Sequence, residues 1–330
     1  MLSGLIIGML FGILLQRSQF CFVSGFRNIF TQKTLRFPTA LFIAVAIQSV
    51  GFFTLQAYGI IELPRGEFSL SATIFGGLLF GLGMAASGCC GSGTWFRSGE
   101  GLVGAWLALF SFCLTMASMQ SGILKHWFGP WLQQHLMQDS LYATWQINPW
   151  YGVILLCLIA LALFINQLRH PRYQFQDPTK RVKNLPLFLG AVLIGLLGIA
   201  AWYFSAQTGR NYGFGIAVPS ANVVQYIVTG QQRYLNWGSL FVIGILIGSF
   251  AGAKLCSDFK LTLPAPEMLL RRLLGGVVMG IGAGLAGGCT VTNSLVATAY
   301  FSAQGWIATA AILVGVWLST FIFKTTQCRT

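Results

Sequence analysis

Two cysteines, Cys90 and Cys289, each close a glycine-rich apolar run and open a short polar stretch. Gly91-Ser92-Gly93-Thr94 follows the first, and Thr290-Val291-Thr292-Asn293 follows the second. If a short helix starts at such a point, its first backbone N–H groups are free and its positive dipole end can face an anion. A thiol there is a soft, weak donor with little hydration to lose. The pair therefore reads as an anion site, with Gly91, Thr94, Thr292 and Asn293 as supporting contacts. The alternative is that both are small residues packed between helices, as most buried cysteines are; their matched placement favours the first reading. Cys21 lies in Arg17-Ser18-Gln19-Phe20-Cys21-Phe22, among aromatics and near Arg17 and Arg27. That setting suits either an anion-lined vestibule or a loop that packs its rings on the rest of the molecule. Cys89 is the chain neighbour of Cys90, where a relaxed disulfide is geometrically disfavoured. Cys113, Cys157, Cys256 and Cys328 share no pattern and read as packing or tail residues.

Other chemistries lack their residues. His126, His135 and His170 are not spaced as metal ligands. There is no phosphate-binding glycine loop and no nucleophile beside a base, so neither a cofactor nor an enzymatic reaction is expected. The seven acids, Glu62, Glu67, Glu100, Asp139, Asp177, Asp258 and Glu267, avoid the middle of every apolar run. The intramembrane carboxylate common in proton-coupled carriers is therefore not visible.

The elements that must hold these cysteines are membrane spans. Only 8% of the 330 residues are charged and 55% are hydrophobic, whereas a soluble domain carries roughly 25% charge. A spanning helix needs about 20 largely apolar residues. Nine runs qualify, at Leu2–Leu15, Pro38–Ile60, Leu70–Ala86, Leu102–Met119, Tyr151–Ile165, Pro186–Ala206, Gly238–Ala253, Leu273–Gly287 and Trp306–Phe323. Gly122–Met137 and Tyr212–Gly230 are shorter or mixed and read as interfacial or re-entrant. Trp127, Trp131, Trp145, Trp150 and Trp237 sit near span ends, as interfacial anchors do. The first run has no basic leader or cleavage motif, so a removed signal peptide is not expected.

The net charge of +13 then reports orientation rather than nucleic-acid binding. Alternate connections hold sixteen bases: Arg17, Arg27, Lys33, Arg36, Arg97, Arg169, Arg172, Lys180, Arg181, Lys183, Lys254, Lys260, Arg271, Arg272, Lys324 and Arg329. The others hold four, Arg65, Lys125, Arg210 and Arg233. Basic loops stay cytoplasmic, which puts the N-terminus outside and the C-terminus inside.

Phe75–Cys90 lies over Leu274–Cys289 without a gap, matching Gly76, Gly77, Gly81, Gly83, Gly88 and Cys90 to Gly275, Gly276, Gly280, Gly282, Gly287 and Cys289. Ser98–Gly101 further resembles Ser302–Gly305, and Gly8-x-x-x-Gly12 echoes Gly244-x-x-x-Gly248. The two matched spans would cross in opposite directions, so the expectation is an all-α membrane protein of two inverted halves, a build common in transporters. The expected division is one membrane domain over 1–330, with halves at 1–167 and 186–330 and a basic cytoplasmic linker at 168–185.

The segments Gln16–Cys21, Gly88–Gly101 and Gly287–Cys289, together with Thr208–Ile216 and Asn236-Trp237-Gly238, resemble the YeeE/YedE sulphur-transport family over nearly the whole chain. The resemblance implies an importer of thiosulfate in the bacterial inner membrane, with Cys21, Cys90 and Cys289 along the substrate path. It departs from the thiosulfate-uptake members at Cys89, where they carry glycine. Related members are proposed to handle selenium compounds, so transport of a selenium compound or another sulphur oxyanion is the alternative, and members often work beside a small cytoplasmic sulphur-carrier protein. The implied mechanism passes the terminal sulfur between protonated thiols by weak S–H···S bonds, several weak sites suiting conduction. Two other readings stand beside it: a passive anion channel, and a membrane thiol oxidoreductase, which would want a paired dithiol and a quinone or haem site.

Overall fold

A computed structural model of the chain describes residues 1–134, 136–144, 146, 148–169 and 185–322. Residues 170–184 of the basic linker, with His135, Trp145, Cys328 and the last two bases, fall outside the described residues. The helices are α1 Leu2–Ser18, α2 Phe22–Thr31, α3 Arg36–Ala57, α4 Leu70–Ser87, α5 Gly91–Gly99, α6 Val103–Ser121, α7 Ile123–Leu132, α8 Leu141–Thr144, α9 Pro149–Arg169, α10 Leu187–Ala206, α11 Ala217–Thr229, α12 Trp237–Leu255, α13 Pro266–Leu285 and α14 Ala303–Ile322. Among the described residues nine segments are long and apolar enough to cross a membrane: α1 with α2, α3, α4 with α5, α6, α9, α10, α12, α13 and α14. They match the nine expected runs in order. The protein is an all-α, multi-pass membrane protein. One small ribbon interrupts it, pairing β1 Glu67–Ser69 antiparallel with β2 Leu136–Gln138 at the end of the stretch expected to be interfacial.

Small residues set the packing. On α6, Trp106, Phe110 and Leu114 point outward while Gly104, Ala108 and Ser111 are buried. Large apolar groups thus face lipid and small ones face the neighbouring helix, as in membrane bundles. One close approach is between α4 and α13. A Cβ on Gly76 would lie 2.9 Å from the Gly282 carbonyl oxygen, and one on Gly275 would lie 2.9 Å from that of Gly83. The sequence match exchanges these two contacts, and the helices run antiparallel through them. Gly77 meets Ala308 and Ala311 of α14 as Gly276 meets Ala108 and Ser111 of α6. The glycine match therefore marks equivalent positions about a pseudo-twofold relation.

Two other echoes mean something different. Gly8 and Gly12 of α1 lie on Phe241 and Ile245 of α12, and Gly244 and Gly248 lie back on Leu5 and Met9. These helices are parallel neighbours packed face to face, not inverted counterparts. Ser98–Gly101 ends α5, whereas Ser302–Gly305 begins α14, so that match is a coincidence of composition. Measured from the two cysteines, α14 begins one residue later than α6. The extra residue is taken up in the π-helical turns of Val291–Ala297, a local widening frequent at functional sites.

Trp237 is not an interfacial anchor: it is 1% exposed and stacked on Phe241. Trp127 and Trp150 are exposed. Tyr212–Gly230 divides into an irregular run and α11, whose Ala217, Pro219, Ser220, Ala221 and Gln225 are buried.

Candidate functional site

Both glycine-rich spans end in the same way. Gly88 and Gly287 take φ of +71° and +72°, a left-handed turn that glycine enters without steric cost. Each turn delivers a cysteine to the start of a new helical segment. Cys90 caps α5, its Sγ accepting the Gly93 N–H at 3.3 Å, with Ser92 Oγ also 3.3 Å away. Cys289 precedes the π-helical segment, its Sγ 3.5 Å from Thr292 Oγ1. The two motifs touch: a Cβ on Gly91 would lie 3.2 Å from Cys289 Cβ and 3.7 Å from its Sγ. Cys21 caps α2 and accepts from Arg97 Nη2 at 3.7 Å. Cys21 and Cys289 both lie within electrostatic reach of Cys90, and the three are 6%, 1% and 0% exposed in chain order. The structure thus gathers three thiols, each at the start of a helical segment, in the interior.

Of the expected supporting contacts, Gly91 and Thr292 are at this cluster. Thr94 donates its hydroxyl to the Gly91 carbonyl at 2.7 Å, bracing the first turn of α5. Asn293 donates to the Ala286 and Gly288 carbonyls at 3.2 and 3.0 Å, so its amide holds the chain break closed. Arg17 donates to Cys256 Sγ, which sets its guanidinium on a cysteine outside the group of three. Among the described residues no group of histidine, cysteine and acid could hold a metal ion, and seven cysteines are free thiols.

Polar groups flank the thiols at both ends. Beyond Cys21, Arg97 is 7% exposed on α5 rather than in a solvated connection. Glu100 is within electrostatic reach of it and accepts hydrogen bonds from Gln19 and Gln16. Burial raises the Glu100 carboxyl above its ordinary value, against the opposing pull of Arg97 and the two amides. Beyond Cys289 stands Tyr212, whose hydroxyl bonds that of Tyr300. Asp139 accepts from Ser302 Oγ at 2.6 Å and from the Gln304 N–H at 2.9 Å; burial nevertheless pushes its carboxyl upward. Arg210 donates to Ser205 Oγ and to the Tyr212 and Gly213 carbonyls at 2.9 to 3.0 Å, over the rings of Tyr212 and Trp237. None of Arg97, Tyr212 and Tyr300 was expected as a site residue. The available signal for Arg97 was its distance from Cys90, seven residues, two turns along one helix face.

Among the described residues nine apolar spans, two of them ending in left-handed turns that present interior thiols, make a multi-pass membrane protein, and its relatives are transporters rather than enzymes. The chain belongs to the sulphur-transport family, whose profile matches residues 17–318. It is 40% identical to the thiosulfate transporter TsuA of Escherichia coli (strain K12), over 97% of this chain and 94% of that protein. It is 32% identical to a thiosulfate transporter TsuA of Spirochaeta thermophila, over 97% of this chain and 98% of that one. A shorter match of 103 residues, also 32% identical, is to the probable transporter YedE of E. coli, covering 31% of this chain and 25% of that protein.

Proposed function

We propose that this protein carries thiosulfate into the cytoplasm across a bacterial inner membrane, with Cys289, Cys90 and Cys21 met in that order. The observation that carries the reading is the gathering of three buried thiols, Cys21 and Cys289 each within electrostatic reach of Cys90, in a chain whose full-length relatives are named thiosulfate transporters. Backbone and hydroxyl groups already contact two of the sulfurs: Gly93 N–H and Ser92 at Cys90, Thr292 at Cys289. When those neighbours donate, the S–H proton is left for the terminal sulfur of the substrate. The thiols work protonated, since a thiolate would repel a dianion. Neutral donors also bind weakly enough for the ion to move on.

The orientation is N-terminus outside and C-terminus inside, supported by the distribution of bases. The contacts favour halves built from α1–α6 and α10–α14, with α9 as a peripheral addition. Under this division α1 on α12 answers α10 on α3, and α6 on α11 answers α14 on α2. A small cytoplasmic sulphur-carrier protein accepts the product. Labelled thiosulfate uptake into proteoliposomes, with sulfate, sulfite and selenium-containing analogues as competitors, tests the reading. Saturable uptake competed by sulfur-terminated anions but not by sulfate is expected. Absence of protein-dependent uptake would overturn it.

A further inference from the structure

Among the described residues Arg97 is the one basic side chain buried as deeply as the core. A guanidinium is costly to bury unless it is paired and hydrogen-bonded. Two of its partners differ in kind: a thiol, Cys21, at 3.7 Å, and the carboxylate of Glu100 within electrostatic reach. Glu100 is in turn held by the side chains of Gln16 and Gln19, from the end of α1 and the residue that closes it. α5 connects this group to the first one. Cys90 stands at its start, and Arg97 follows seven residues later in its last turn, about 10 Å along the axis. The C-terminal dipole end favours a cation there.

We infer that Arg97 and Cys21 form a separate oxyanion-binding station beyond Cys90, and that Glu100 is the resident counter-ion which an arriving dianion displaces. The inference rests on the proposed uptake of thiosulfate and names the groups that take its charged end. Thiosulfate is bipolar in chemistry: its soft sulfur suits a thiol, and its sulfonate oxygens suit the planar fork of arginine. Cys21 with Arg97 offers both at once. A fixed cation alone would hold a dianion too long for turnover, and the competing carboxylate restores release by returning to the guanidinium as the anion leaves.

This exchange makes predictions of opposite sign at two neighbouring residues. In proteoliposomes, Arg97→Gln raises the KM for thiosulfate by at least about tenfold, with Arg97→Lys intermediate, because a point charge replaces the fork. Glu100→Gln lowers both KM and kcat, since binding is no longer contested and release slows. A purely structural role would depress the melting temperature and kcat of all three variants without moving KM, so melting in detergent is measured alongside. Failure of wild-type protein to take up thiosulfate would sink the transport reading itself. Wild-type uptake with KM unchanged in the Arg97 variants would instead leave that reading intact and overturn the station. Should Arg97→Gln fail to fold, the Glu100→Gln KM decides: a lower value supports the exchange, an unchanged or higher one refutes it.

Discussion

The sulfur atom of Cys90 has two duties that can be separated. As the cap of α5 it accepts the Gly93 N–H, and as a thiol it offers a weak, soft donor. Serine is among the best helix-capping residues, so Cys90→Ser keeps the first duty and changes the second. Its thermal stability should stay within about 1 kcal/mol of wild type, while uptake falls at least tenfold because a hydroxyl is a harder and better hydrated partner for a terminal sulfur. Wild-type uptake by a folded serine variant would contradict the thiol relay. The break at Cys90-Gly91 and at Cys289 is legible in the sequence because its features, glycine, cysteine and a following polar stretch, are consecutive. Thr94 and Asn293 direct their donors to backbone carbonyls, a placement that depends on how the chain turns and that spacing alone does not show. Arg97 was counted among loop bases because a buried cation in a short helix after a long apolar run has the same local sequence as a cytoplasmic connection.

At the scale of elements, the bilayer makes spans easy to read and their partners hard to read. A run of about 20 apolar residues is imposed by membrane thickness, which is why nine were found in order. Glycine spacing, by contrast, signals only that another backbone comes close. It does so equally for α4 on α13, inverted equivalents, and for α1 on α12, parallel neighbours. The two kinds of glycine predict different variants. A Cβ on Gly282 would lie 2.4 Å from the Phe80 backbone nitrogen, with no flexible end to move. Gly282→Ala should therefore lower stability by about 1–3 kcal/mol, the usual cost of overpacking, seen as an earlier melting transition in detergent. A Cβ on Gly91 meets Cys289 Cβ at 3.2 Å, a clash relieved by a small shift. Gly91→Ala should melt near wild type and lose most uptake, because the relief separates the two thiol-bearing breaks. Equal melting of the Gly282 variant and wild type, or full uptake by the Gly91 variant, would show that these contacts are not what positions the site.

For the whole molecule the question is what drives a dianion into a compartment at negative potential. Each charge costs about 2.3 kcal/mol per 100 mV, so thiosulfate faces roughly 4.6 kcal/mol, or about three decades of concentration. A coupled proton would need a titratable carrier along the path. Among the described acids, Glu62, Glu67, Glu100, Asp139 and Asp258 lie outside the nine spans and Glu267 sits in the first turn of α13. Between Cys289 and Cys90 the described groups at hand are thiols, hydroxyls and backbone, and the carboxyl of Glu100 stands beyond them beside Arg97. Were uptake uncoupled, inward flow would be maintained by chemical consumption of thiosulfate in the cytoplasm, as a sulphur-carrier acceptor would provide. In sealed proteoliposomes with no acceptor, an inside-negative potassium diffusion potential should lower steady-state accumulation about tenfold for every 30 mV. A pH gradient imposed at zero potential should leave it unchanged. Accumulation that follows the pH gradient and ignores the potential would mean that protons accompany the anion, and Asp139 and Glu100, the two acids drawn into the protein at either end of the thiol row, would be the groups to test next.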